Sequence, residues 1–178
     1  MSLLVVAYPD LDPKDQAWIQ AIRARHDPHV GLIAPHVTLV FPNDAIDATL
    51  LQEHAEQVCQ AFGAFRFLAR VALIVRDQFS PLPHLFLVPD EGFSQIVRLH
   101  DALYRGPLAE SLLLDVPFIP HLTIGAFETS AAAKAQADAI NSERFVIDAA
   151  IERMSVIEHI GQSVTTIAEF ALASRLAD

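Results

Sequence analysis

Two apolar stretches of this chain carry the same polar pair. Residues 34–42 read APHVTLVFP and residues 119–127 read IPHLTIGAF. In each, proline is followed by histidine, an apolar residue, threonine and a second apolar residue. The two histidines, His36 and His121, stand 85 positions apart. An imidazole, with an unperturbed pKa of about 6.5, can give or take a proton at neutral pH. Two of them in opposite protonation states make a general base and a general acid. In-line displacement at phosphorus uses that division of labour. One group activates the nucleophile and the other protonates the leaving oxygen on the far side. Threonine hydroxyls, here Thr38 and Thr123, can donate hydrogen bonds to the non-bridging oxygens, and such bonds strengthen as charge builds in the transition state.

That chemistry requires both pairs to face one space. Side chains two apart on a strand point to the same face. His36 therefore goes with Thr38, and His121 with Thr123. Val37, Leu39 and Phe41 take the opposite, core-facing side, as do Leu122, Ile124 and Ala126. A pseudo-two-fold relation between the two segments would set the polar pairs against each other across a cleft.

The elements around the motifs come twice in the same order. LLVVAY (Leu3–Tyr8) is a continuous apolar run and reads as a buried strand. Asp12 caps a helix with Pro13 at its first position, running to about His26. The first motif strand follows. A second helix begins near Asp47, with Leu51, Ala55, Val58 and Phe62 at helical spacing, and Phe65–Val75 reads as a long strand. The second round opens on the strand His84–Pro89. A third helix follows through Phe93, Ile96, Val97, His100 and Leu103. After the second motif strand come an alanine-rich helix over Ser130–Asn141, strand-like runs between Arg144 and Ile160, and a last strand over Val164–Leu172. Strand–helix–strand–helix–strand twice over signals a repeated unit. The repeats span about residues 3–76 and 84–172 within a single domain of 178 residues. YPD at Tyr8 resembles VPD at Val88. ARVALIV from Ala69 aligns with ERMSVIE from Glu152 without a gap.

Composition bounds the ligand. Apolar residues make up 52% of the chain and charged residues 19%, which suits a globular domain with a sizeable core. The net charge of −10 repels long polyanions, so duplex nucleic acid is not an expected partner. A small anion in a locally suitable cleft remains compatible. One cysteine, Cys59, cannot form an internal disulfide, and no Cys/His cluster has zinc-ligand spacing. The N-terminal MSLLVVAYPD lacks a basic leader, and its apolar run is too short for a membrane span. The expectation is a soluble cytoplasmic protein with no membrane partner, of unknown oligomeric state.

Other residues have two readings each. Phe127 shares the parity of His121 and Thr123, so it either lies on the cleft face and stacks on a base or is a core aromatic at a strand end. Arg70 and Arg153 hold equivalent places in the repeats and either draw phosphate into the cleft or sit on exposed sheet edges. Arg66 and Arg76 share the parity of Arg70 and read as solvent-facing. Tyr8 either reaches the cleft from the end of the first strand or is a buried phenol. His26, His29, His54 and His84 read as helix or loop surface. His100 rides the edge of an apolar helix face, and His159 is unassigned.

The doubled HVTL and HLTI resemble the paired signatures of the 2H phosphoesterase superfamily, which includes 2′-5′ RNA ligase-like proteins and cyclic nucleotide phosphodiesterases. The resemblance spans both halves, roughly Leu3 to Leu172. It implies an α+β fold of two pseudo-symmetric lobes, each an antiparallel sheet flanked by helices, with the motifs lining a central cleft. It implies hydrolysis of 2′,3′-cyclic phosphates of nucleotides or RNA ends, or chemistry at 2′-5′ bonds. His36 and His121 would be the acid–base pair, Thr38 and Thr123 would hold the phosphate, and no metal or cofactor would be needed. The absence of any basic run favours a small cyclic nucleotide or a short RNA end over tRNA-sized substrates. A rival reading from another class is a non-catalytic nucleotide-binding module of the same fold. A metal site built on His36 and His121 is a third, disfavoured because no carboxylate stands at ligand spacing near either histidine.

Overall fold

The computed structural model describes residues 1–76 and 79–174. It contains nine strands and four α-helices among those residues. In chain order they are β1 (Ser2–Ala7), β2 (Asp10–Leu11), α1 (Pro13–His26), β3 (Val37–Asn43), α2 (Ala48–Ala61), β4 (Phe65–Arg76), β5 (Pro83–Glu91), α3 (Phe93–Leu103), β6 (Leu122–Ala126), α4 (Ser130–Asn141), β7 (Ile147–Ile151), β8 (Arg153–Ile160) and β9 (Ser163–Ala171). A short 3-10 helix, Gly106–Ser111, fills part of the span between α3 and β6. The two-residue strand β2 carries no periodicity of its own. It exists because β7 pairs with it.

Helix starts follow local chemistry. The Asp12 carboxylate accepts the Lys14 amide at 2.8 Å, with Pro13 just inside the helix. Asp47 accepts the Thr49 and Leu50 amides in the same way at the start of α2. At α3 a glycine makes the turn. Gly92 stands at φ 78°, and a Cβ there would lie 2.5 Å from the Phe67 Cβ and 2.8 Å from the Arg66 carbonyl. Only glycine lets the chain leave β5 and turn tightly over β4.

The strands form two sheets, of order β3-β1-β8-β9 and β2-β7-β4-β5-β6. Every pair between neighbouring strands is antiparallel. Helices α2 and α3 pack on the first sheet, and α1 and α4 on the second. The α+β architecture of two antiparallel sheets flanked by helices is thus the expected one. The division of the chain between the sheets does not follow the two repeats. β4 closes the first half of the sequence, yet it pairs with β5 and β7. β8 comes from the second half and pairs with β1. Read outward from the motif strands, the orders β3-β1-β8-β9 and β6-β5-β4-β7 match position for position. Each sheet therefore mixes the two halves: β8 and β9 of the second join β1 and β3, and β2 and β4 of the first join β5, β6 and β7. The chain passes between sheets at Glu152, the single residue separating β7 from β8.

Burial explains why this arrangement holds. Leu3, Val5 and Ala7 of β1, Leu85 and Leu87 of β5, and Met154 and Val156 of β8 belong to one continuous core that takes in all four helices. The end of β9 is tied back to the α2–β4 junction, where the Ala173 amide donates to the Phe62 carbonyl at 2.8 Å. Among the described residues no helix is long and apolar enough to cross a membrane. Gly92→Ala combines a left-handed φ with a backbone clash, so it is expected to lower unfolding stability by about 2–4 kcal/mol. Urea denaturation checks this, and a loss within the range of a neutral surface change, roughly ±0.5 kcal/mol, would contradict the strain argument.

Candidate active site

The motif strands β3 and β6 are the equivalent outer strands of the two sheets. Each histidine sits just ahead of its strand, after a buried proline. Proline fixes its own φ and holds the preceding residue extended. This brings the carbonyl two residues back against the imidazole. His36 Nδ1 lies 2.8 Å from the Ala34 carbonyl, and His121 Nδ1 lies 2.5 Å from that of Ile119. A carbonyl can only accept, so Nδ1 carries the hydrogen in both rings. The two imidazoles thus have the same tautomer for the same local reason.

Surrounding side chains fix the rings further. Phe86 of β5 stacks on His121, with centroids 3.5 Å apart and planes 10° from parallel. Tyr8 meets His36 edge-on at 6.2 Å. Burial raises the Tyr8 pKa above the usual phenol value, with Thr166 acting in the opposite direction. Beneath His36 lies Arg23, 2% exposed. Its Nε donates to Asp27 Oδ2 at 2.7 Å, and its Nη2 donates to the Ile33 carbonyl at 2.7 Å. One guanidinium therefore anchors the loop that carries His36. Burial holds the His36 pKa below the ordinary imidazole value. The Ala34 carbonyl and Asp27 act against that lowering, and Arg23 and His29 add to it.

Strand β3 needs outside help, because it ends its sheet. His100 Nδ1 donates to the Leu39 carbonyl at 2.8 Å, and the Phe41 amide donates to the Tyr104 hydroxyl at 3.0 Å. Both partners come from α3 and its C-terminal end. His100 is therefore not at the edge of an apolar face, as its spacing suggested. It is buried, stacked on Phe118 at 3.6 Å, and its pKa is lowered by desolvation.

Thr38 and His121 line one cavity of about 400 Å³, together with Leu4, Phe41, Arg76, Phe86 and Thr123. His36 lines a second cavity of about 240 Å³. The two share His29, Phe79 and Thr123, so they form one cleft between the sheets. A wider hollow beside the end of α1 holds neither motif pair. The polar pairs border the two smaller cavities, not the larger one.

Irregular register corrects several parity arguments. The β1–β3 ladder shifts between Leu3 and Val6, leaving Leu39 and Val40 both buried. Phe41 is thereby turned from the core to the cleft. The β5–β6 ladder shifts between Leu85 and Phe86, so Thr123 lies opposite Phe86 while Ala126 lies opposite His84. Ala126 joins the cleft, and Phe127 packs in the core against His26 at a centroid distance of 4.8 Å. Bulges of this kind flip side-chain faces without a sequence signature. Gly125 permits this one, since a Cβ there would come within 2.9 Å of both the His26 Cβ and the Phe127 ring.

For Arg70 and Arg153 the structure favours the second of the two readings, exposed sheet positions. Arg70 is ion-paired with Asp90 at 2.7 Å and with Glu91, and Arg153 with Glu169 at 3.1 Å. Both face outward, away from the cleft. Arg76, read as solvent-facing, is exposed and also borders the cleft. His84 is buried on β5, His26 stacks on Phe127, and His54 Nε2 bonds the Leu103 carbonyl at 2.8 Å. None of these three is simple surface. Among the described residues no three His, Cys, Asp or Glu side chains are grouped to hold a metal ion.

Comparison with known proteins decides the family. The family model of the 2′-5′ RNA ligase superfamily matches residues 11–163. The chain belongs to that superfamily. It is a 2H phosphoesterase-type protein, as the doubled motif indicated. A Bacillus cereus (strain B4264) relative, named as a candidate phosphoesterase, is 25% identical over 169 residues, covering 95% of each chain. Two solved structures share the fold. TT0787 of Thermus thermophilus superposes with a TM-score of 0.65 at 17% identity, over 98% of this chain and 100% of that one. E. coli LigT complexed with 3′-AMP gives 0.61 at 19%, over 97% and 98%.

Within this superfamily member, the Arg23–Asp27 pair bears on both folding and the placement of His36. Arg23→Met leaves a buried carboxylate without its cation and is expected to cost about 3–5 kcal/mol. A chemical-denaturation midpoint close to that of the unaltered protein would show that the pair is dispensable.

Proposed function

We propose that this protein opens 2′,3′-cyclic phosphates of nucleotides or short RNA ends by two-histidine general acid–base catalysis. The observation that carries the reading is the shared imidazole geometry. His36 and His121 each give their Nδ1 hydrogen to the carbonyl two residues back, and both line one cleft with Thr123. His36 is the base in the hydrolytic direction, because burial keeps it neutral. Its Nε2 takes a proton from water as the water oxygen attacks phosphorus. The bond from phosphorus to the 3′-oxygen breaks, and His121, as imidazolium, supplies the proton that oxygen needs. The product is a 2′-phosphate. Thr38 and Thr123 donate to the non-bridging oxygens, and Arg76 supplies the cleft with a fixed positive charge. No step calls for a metal.

The aromatic side chains Phe41, Phe79 and Phe86 give the same cleft apolar surface for a nucleoside. E. coli LigT, a neighbour in fold, has been crystallised with 3′-AMP, ATP and NADP+, which supports a nucleotide-sized ligand here. The net charge of −10 argues against long nucleic acid.

His36→Ala and His121→Ala are each expected to lower kcat on a 2′,3′-cyclic nucleotide by about 10²–10⁴. The losses should not add in the double variant, since both groups serve one displacement. Thr38→Ala and Thr123→Ala should cost less, about 10–10³. Turnover should survive excess chelator. If wild-type protein binds the cyclic nucleotide and never opens it, the chain is instead a nucleotide-holding module.

The pH dependence follows from the sign of the His36 shift. A base works when deprotonated, and a lowered pKa moves that condition to lower pH. The acid limb of kcat/KM should therefore fall below about pH 6.5, the unperturbed imidazole value. NMR titration of His36 in parallel with the rate profile checks the assignment. An imidazole pKa above about 7, on the far side of the unperturbed value, would make His36 the acid instead.

A further inference from the structure

Four of the eight histidines follow proline directly: His29, His36, His84 and His121. All four line the cleft, whereas none of the other four does. His84 repeats the geometry of the motif histidines. Its Nδ1 donates to the Leu82 carbonyl, again two residues back, at 2.9 Å. His29 varies the theme. Its Nδ1 lies 3.9 Å from Asp27 Oδ1, and its backbone amide donates to that same oxygen at 2.8 Å.

His84 is 9% exposed, yet its Nε2 has no hydrogen-bond partner among the described residues. No buried side-chain nitrogen or oxygen of the described residues lacks a partner either. The Nε2 of His84 therefore opens to the cavity it lines. The β6 bulge makes room for this, because it sets the small Ala126, not Phe127, directly opposite His84. His84 and Phe86 lie two apart on β5, with Phe86 stacked on His121. His84 thus stands one position along the same strand face from the reacting histidine.

The smaller cavity has three imidazoles on its walls, from His29, His36 and His84. Its one carboxylate among the described residues, Asp27, is already engaged by Arg23 and by the His29 amide. Thr123 borders both this cavity and the larger one. In a chain of net charge −10, this is a place where, among the described residues, an anion meets donors and no uncompensated carboxylate. A phosphate monoester has its second pKa near about 6, close to that of imidazole at about 6.5, so the two can share a proton at neutral pH.

We propose that His29 and His84 form a second anion subsite beside the reaction centre, which takes a further phosphate group of the substrate. The preferred substrate class is then a cyclic phosphate that carries another phosphate, such as a 5′-phosphorylated 2′,3′-cyclic nucleotide. This rests on the reading of the site given above.

Two measurements test it. The first compares kcat/KM for adenosine 2′,3′-cyclic phosphate with and without a 5′-phosphate. The second compares calorimetric binding of adenosine 2′,5′-bisphosphate with that of adenosine 2′-phosphate, and it needs no turnover. In both, the 5′-phosphate is expected to improve the constant by about tenfold, the scale of one charge-assisted hydrogen bond. His84→Phe should bring both ratios close to one. His29→Ala, at a side chain 65% exposed and so without consequence for folding, should lower them part of the way. Ratios near one in the wild type, or a tenfold preference that neither variant moves, would overturn the proposal. If neither cyclic compound is turned over while the bisphosphate preference and its dependence on His84 hold, the subsite stands and the cyclic-phosphodiesterase reading falls.

Discussion

The central strands β1 and β5 each bond on one side to a strand from their own half of the chain and on the other to a strand from the opposite half. Two strands alone make a marginal sheet in water. The crossover supplies each sheet with the strands it lacks, and it makes the two sheets inseparable without breaking main-chain ladders. The space between them is set by the backbone, not by a hinge. That constraint lets histidines 85 positions apart share one cleft.

Within that frame, polar side chains finish what the ladders leave open. The outer edge of β3 would expose the Leu39 carbonyl and the Phe41 amide, and His100 and Tyr104 take them. Arg23 collects Asp27, Gln20 and the Ile33 carbonyl under the loop before β3. Each of these contacts lies in or beside the core, where an unpaired polar group is costly. They therefore hold the motif strand and its approach in one conformation. Histidine has two separate uses here. At position 100 it is a buried strut, and at positions 36, 84 and 121 it hands one nitrogen to the backbone and keeps the other toward the cleft.

Electrostatics sharpen that difference. The acidic excess is spread over the outside, where Arg66, Arg70 and Arg153 are held in ion pairs with carboxylates of neighbouring strands. Exposed pairs of this kind add little to stability. They do hold those guanidinium groups away from the cleft, whose polar side chains among the described residues are imidazoles, hydroxyls, Arg76 and the Arg23–Asp27 pair. Proton transfer is chemistry such a set can perform, and a small ligand is what such a volume can hold.

Much of this was legible in the sequence for local reasons. Asp12 with Pro13 and Asp47 mark helix starts because capping is a matter of a few adjacent atoms. The strand and helix order follows from apolar spacing, and the His-x-Thr pairs place each histidine with its threonine because two residues apart means one face. What only the tertiary structure decided has one cause: pairing between distant strands leaves no trace in a single segment. The repeats do not tell which sheet each strand joins, and β4 and β8 pair across the halves. Parity assigns Phe41 and Ala126 to the core and leaves Phe127 between cleft and core, whereas bulges that depend on the partner strand turn the first two to the cleft and Phe127 to the core. The equivalent positions of Arg70 and Arg153 are visible in the chain, but the carboxylates that engage them belong to neighbouring strands. His84 looks like a loop residue until β6 pairs beside it and the bulge leaves only Ala126 in front of its ring.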